Sequence, residues 1–279
     1  MEQQWGILDH TISDIRRRLG ARLEEITVER TVFGLFFTGV KLCTGHGGLS
    51  FTPVKEMPEA VCCPSSAKAM PLSGKLSGRT AAECLNDAFS TSVLKKAMGI
   101  AAINALSALI MEEDASLSQK IITKYNVDAF DLISPLPGQK TVVVGALVPI
   151  LKRLIREGHD FTVLEMDSRT LKGEELKRYR PADEAEAVVP FADILVITGT
   201  TLLNDTLDGL LRMRKPGAQV LVTGPTASML PDAFFDNGVT MLGGIQITNS
   251  DDALAIISEA GSGYHLFGRC AERTVMLRR

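Results

Sequence analysis

Five apolar runs in the second half of the chain stop on Gly, Thr or an acid, and no other feature limits the possible folds as much. They are Thr141–Gly145, Phe161–Asp167, Asp193–Gly199, Ala218–Gly224 and Val239–Gly244. Segments of helix length separate them. Short Val/Ile/Leu runs spaced in this way read as strands buried on both faces, the condition of a parallel sheet wrapped by crossover helices. The expected fold class is therefore α/β with a doubly wound parallel sheet. In such sheets ligands bind outside the carboxyl ends of the strands, so the residues that close the five runs are the first candidates for a site.

The first half has a different texture. Ile7, Leu8, Ile12, Ile15 and Leu19 form one helical stripe that stops at Gly20. Apolar runs Ile26–Val28, Val32–Phe37, Val40–Cys43 and Leu49–Phe51 follow, broken by Gly34, Gly39 and the cluster Gly45-His46-Gly47-Gly48. Gaps this short permit antiparallel hairpins only, because a parallel return needs a crossover. Residues 55–79 are rich in Pro, Ser, Gly and Lys and read as loop. The segment Met98–Met111 is apolar nearly all round, which marks a core helix. The predicted division is a small α+β domain at 1–115, a linker at 116–138 around Ser134-Pro135-Leu136-Pro137-Gly138, and a sheet domain at 139–279. Tyr264–Phe267 and Arg273–Leu277 are expected as two short edge strands.

Composition excludes some function classes. A net charge of −3 supplies no basic footprint for nucleic acid or an anionic membrane surface. No uninterrupted apolar run reaches the ~18 residues a membrane span needs. Five cysteines without regular spacing fit a reducing compartment, so a cytoplasmic location is expected.

Each candidate residue has a binding reading and a packing reading. Gly145 is followed by bulky residues, so no G-x-G-x-x-G fingerprint is present. It either permits a tight turn or brings an anion to the following helix N-terminus. Glu165 and Asp167 stand about 20 residues further on, where nucleotide-binding units place an acid for ribose hydroxyls. The string Thr198-Gly199-Thr200-Thr201, with Asn204 and Thr206 behind it, offers hydroxyls and free N–H groups to a phosphate or carboxylate. The same threonines could instead cap a helix. Gly224-Pro225-Thr226 repeats the design, and Gly243-Gly244 bares the backbone for close approach. Asn104, inside the apolar helix, either ties that helix to a loop or projects into a cleft. Cys43 and His46 have Cys-x-x-His spacing, which can give a soft metal two ligands, against buried thiols and a loop imidazole. Cys62, Cys63 and Cys84 could add donors, but adjacent cysteines in extended chain point to opposite faces. No G-x-S-x-G, Walker A or H-E-x-x-H string occurs.

The Gly-rich hairpin, Gly99–Leu106 (GIAAINAL), Val163-Leu164-Glu165 and Thr198–Thr206 (TGTTLLNDT) together resemble the heavy-metal chelation family, over nearly the whole chain. The resemblance implies an enolase N-terminal-like first domain, a Rossmann-like second domain and an active site in the cleft between them. It places Asn104, Glu165, Gly199, Thr200, Thr201, Asn204 and Thr206 near that cleft. The expected function is binding of a small anionic ligand or a metal complex there, in the handling or chelation of heavy metals. Glu165 would take a sugar hydroxyl or a cation, and Glu165, His46 and Cys43 would be the metal donors. The alternatives are an enzyme using a nucleotide-type cofactor such as S-adenosylmethionine and a non-catalytic small-molecule sensor. A transition metal ion and a nucleotide-type cofactor are thus the candidate cofactors. The expected partner is a small molecule or metal ligand, not nucleic acid or a membrane, and a homo-oligomer is left open.

Overall fold

The computed structural model describes residues 6–57, 70 and 72–279. Helix α1 (Ile7–Leu19) carries the anticipated stripe, with Ile7, Leu8, Ile12, Ile15 and Leu19 all buried. Strands β1 (Val28–Phe33), β2 (Phe37–Leu42) and β3 (Gly47–Phe51) form an antiparallel sheet in the order β1-β2-β3. Helix α2 (Ala81–Asp87) starts on a capping box in which Thr80 and Glu83 satisfy each other's backbone N–H groups. The long helix α3 (Val93–Glu113) follows.

The surroundings of α3 explain why it is apolar on all sides. It packs on β2 and β3, and its buried residues share one continuous core with a face of the larger sheet. By length and composition it could cross a membrane, yet 83% of its most apolar window is buried inside the protein. Counting uninterrupted apolar residues missed this, because Lys95, Lys96, Gly99, Asn104 and Ser107 interrupt the run.

The second sheet has eight strands in the order β4-β11-β10-β9-β8-β5-β6-β7. Their ranges are β4 Ile121–Tyr125, β5 Thr141–Val144, β6 Phe161–Glu165, β7 Tyr179–Pro181, β8 Ile194–Thr198, β9 Gln219–Thr223, β10 Met241–Ile247 and β11 Ala271–Arg278. Strands β5 to β10 are mutually parallel. Counted from β5 they run 3-2-1-4-5-6, the doubly wound order of dinucleotide-binding sheets, with its switch point between β5 and β8. One face, with Val144, Ile197, Val222 and Leu242, joins the α3 core. The opposite face, with Val143, Val163, Val196 and Leu221, packs on Phe130, Ile133, Leu151 and Leu154, the last two from α4 (Val148–Arg156). A third cluster joins Leu49 of β3 to Leu254 and Ile257 of α5 (Ser250–Ser258).

Four features depart from the sequence reading. The stretch expected as linker contains β4, an edge strand with only Ile121 buried, so it carries no apolar run to announce it. Strand β7, three residues ending in a proline, is likewise too short to show. In the tail, Gly263–Leu266 is helical, and β11 lies inside the sheet between β10 and β4. Finally, Gly243 and Gly244 do not end their strand. β10 continues to Ile247 because antiparallel β11 goes on pairing with it after the parallel pairing with β9 stops at Gly243.

Candidate functional site

At the switch point the polar groups are turned inward on one another. Gly145, at φ +95°, lies so close to β8 that a Cβ there would come within 2.6 Å of Thr198 Cγ2. The Thr198 side chain thus fills the crevice at the start of the turn. Its Oγ1 accepts from Thr200 N at 3.4 Å and from Thr200 Oγ1 at 3.2 Å, while Thr201 Oγ1 donates to Thr198 O at 2.7 Å. Asn204 Oδ1 accepts from Thr206 Oγ1 at 2.7 Å and from Thr206 N at 3.3 Å. These are the bonds of a capped turn.

Glu165 is occupied in the same way. Its Oε2 accepts from Ala146 N at 2.8 Å, and its Oε1 accepts from Met166 N at 2.8 Å and Asp167 N at 3.1 Å. The carboxylate therefore staples the turn after β5 to the turn after β6. Next to it, hydrogen bonds from Arg169 and then Lys55 hold the Asp167 carboxyl well below its ordinary range. Lys55 comes from the segment after β3, so this exposed contact joins residues far apart in the chain.

The loop after β9 is closed against the first half. Gly224 N donates to Gly243 O at 3.0 Å, and Thr226 Oγ1 accepts from Phe51 N of β3 at 3.0 Å. Asn104 Nδ2 points at three carbonyls, Leu49 O at 2.7 Å, Thr226 O at 3.1 Å and Pro225 O at 3.2 Å. Only a donor fits that trio, so the nitrogen is identified by its neighbours and Oδ1 faces the other way. Asn104 is 2% exposed, and its Oδ1 is buried without a partner. Gly199 and Gly224 directly follow β8 and β9, a Cβ on Gly224 would lie 3.8 Å from Gly199 N, and Gly224 N is bonded to Gly243 O of β10.

Cys43 and His46 do not form a metal centre. The Cys43 sulfur accepts from Thr27 N at 3.3 Å, whereas His46 Nδ1 meets Thr44 Oγ1 and Nε2 meets Glu112 Oε2, each at 3.0 Å. Burial pushes the Cys84 thiol up to about 12 and raises Cys270 as well, which disfavours the thiolate at both. Among the described residues no three His, Cys, Asp or Glu side chains gather as a metal would need. Cys62 and Cys63 lie outside the described residues. The donor set on view does not fit a bare heavy-metal ion.

A cavity of about 620 Å³ opens elsewhere, beyond β9. Its roof is β3 and α3, with Gly48, Leu49, Asn104 and Ala108. Its floor is one face of β10, β11 and β4. Register places Gly244, Thr274 and Tyr125 in one row across these strands, with Met276 and Thr123 two residues along on the same face. The roof sits low because Gly48 has no side chain: a Cβ there would lie 2.1 Å from Ala101 O and 2.4 Å from Ala105 N of α3. Of the residues singled out from sequence as a site, only Asn104 lines this cavity. Thr274, Tyr125, Gln246 and Ala108 were missed. The apolar run Val275–Leu277 marks a strand, but not which surfaces its two faces would meet.

Comparison with known proteins gives one consistent answer. Residues 128–276 match one family model and residues 16–107 match a second, and both carry the description putative heavy-metal chelation. An uncharacterised protein of Methanocaldococcus jannaschii is 30% identical over 198 residues, which is 69% of this chain and 70% of that protein. Two crystal structures of proteins of unknown function share the fold over nearly full length. The Pyrococcus horikoshii protein has a TM-score of 0.76 at 20% identity, covering 98% of this chain and all of that one. The Desulfitobacterium hafniense protein has a TM-score of 0.73 at 20% identity, covering all of this chain and 99% of that one.

Proposed function

The chain belongs to the heavy-metal chelation family, and from that premise we propose that it binds a small organic molecule, a metal complex included, in the cavity between β3, α3 and the edge strands β10, β11 and β4. The observation that carries this is the cavity itself. About 620 Å³ of mixed lining between two sheets has the size and character of small-molecule sites, whereas the Gly/Thr strand ends have used their donors on one another. Within a family described for metal handling, a metal already wrapped in an organic chelate suits a wall that supplies no cluster of metal donors.

Thermal-shift titration with Ni²⁺, Cu²⁺ and Zn²⁺ tests this, each as the free ion and as its 8-hydroxyquinoline complex. The complexes should stabilise the wild type, and Ala108→Phe, which fills the cavity from α3, should abolish the shift. A shift produced by free ions and removed by the Cys43→Ser/His46→Ala double variant would sink the proposal in favour of direct chelation.

The strand order supports a second reading, an enzyme with a nucleotide-type cofactor held at the switch point. It requires Glu165 to give up backbone N–H groups for ribose hydroxyls. Stabilisation by S-adenosylmethionine or an adenine nucleotide, lost in Glu165→Ala and kept in Ala108→Phe, would establish it over the first. A non-catalytic sensor would share the ligand site of the first reading.

A further inference from the structure

We infer that the part of the occupant buried in the β3/α3/β10-β11-β4 cavity is uncharged and carries a hydrogen-bonding amide or hydroxyl group on an apolar body, an inference that rests on the cavity being a binding site. The strand ends suggested an anion, but the cavity walls have a different chemistry. Their buried polar residues are Asn104, Ser228 and Thr274, at 2%, 7% and 8% exposure, and none carries a charge. Among the described residues the only formally charged ones in the lining, Glu112 and Arg279, are both exposed. Glu112 is moreover engaged by His46 at 3.0 Å. A carboxylate or ammonium group pushed among Leu49, Ala108 and Met276 would lose its hydration without meeting a counter-charge.

The neutral groups are not equally available. Ser228 Oγ already donates to Pro225 O at 2.9 Å and accepts from Ile245 N at 2.9 Å. Thr274 makes no side-chain hydrogen bond among the described residues, and Asn104 Oδ1, in the opposite wall, is a buried acceptor without a donor. The uncommitted Thr274 hydroxyl favours a ligand that brings its own hydrogen-bonding group, whereas Asn104 Oδ1 exposes almost no surface to one. Gly244, in the same cross-strand row as Thr274, is covered by Ser228, whose Oγ lies 2.9 Å from the place a Cβ would take.

Three matched pairs of probes separate the possibilities: benzamide and benzoate, nicotinamide and nicotinate, cyclohexanecarboxamide and cyclohexanecarboxylate. Binding is read by ligand-observed NMR on the whole chain, with circular dichroism confirming that each variant is folded. The carboxamides should bind at least about tenfold tighter than their acids, since the acids lose a donor and gain an unpaired charge. The near-isosteric Thr274→Val should weaken the carboxamides about fivefold to tenfold, and Ala108→Phe should abolish binding of all six. Carboxylates that bind as tightly as the amides, and are lost in Ala108→Phe, would overturn the inference while leaving the cavity as a site. Failure of every probe on the wild type, or binding that survives Ala108→Phe, would remove the site and the inference together.

Discussion

The carboxyl ends of β5, β6, β8 and β9 and the cavity at β10, β11 and β4 belong to one sheet, yet they treat their polar groups in opposite ways. At the strand ends, threonine hydroxyls, a carboxylate and bare backbone N–H groups are satisfied locally, by Thr198, Glu165 and Asn204. At the edge, the Thr274 hydroxyl and Asn104 Oδ1 are not. Donor-rich residue types at the correct address therefore do not by themselves make a site. What matters is whether the chain has already consumed the donors in closing its own turns.

The contrast can be broken at several points. The largest effect should come from the cavity roof. Gly48→Val drives a side chain into the α3 backbone at Ala101 and Ala105, where nothing flexible can yield, and should cost at least about 3 kcal/mol in urea denaturation. A near-neutral result would mean that β3 can lift off α3 and that the cavity has no fixed roof. Asn104→Ala removes the donor shared by Leu49, Pro225 and Thr226 and should cost roughly 2 kcal/mol.

Substitutions at the strand ends sharpen the other side. Glu165→Ala takes the acceptor from three backbone N–H groups. These groups are partly reached by water, so about 1 kcal/mol should be lost with no change in ligand-induced thermal shift. A lost ligand shift would restore the switch point as the site. Thr200→Val should change stability by about 0.5 kcal/mol or less and leave binding unaltered, as checked in the same titrations.

The smallest effect concerns pH. Asp167 titrates below its ordinary value of 3.8 because Arg169 and Lys55 stabilise the carboxylate. A depressed folded-state value means that this contribution is complete above pH 3.8 and fades as acid protonates the folded carboxyl. The group is solvent-accessible and screened, so Lys55→Ala should blunt the acid limb of the stability curve only slightly. A large change would show that this pair clamps the two halves.

Much of the architecture could be read without coordinates, for reasons of pattern. The stripe of α1, the five buried parallel strands and the all-apolar α3 announce themselves through period and burial. β4 and β7 do not, because an edge strand with one buried residue and a three-residue strand carry too little signal. The candidate site was legible in part. Asn104 stood out as an amide inside an apolar helix, and it both ties the two halves together and lines the cavity. The Gly47-Gly48 pair resembled a hairpin tip and is in fact a strand seated on helix backbone. The glycines at 243 and 244 resembled a strand end because pairing by a distant tail strand cannot be read from their neighbours.

By itself, the order of residues determined most of the helices and strands and the parallel, doubly wound centre of the sheet, since those follow from local period and from the chain length needed to cross over. Only the tertiary structure decided where an open space remains. Whether a threonine caps a turn or faces a cavity depends on the distance to atoms far away in sequence, such as Gly48 on Ala101 and β11 between β10 and β4, and no local pattern encodes that distance.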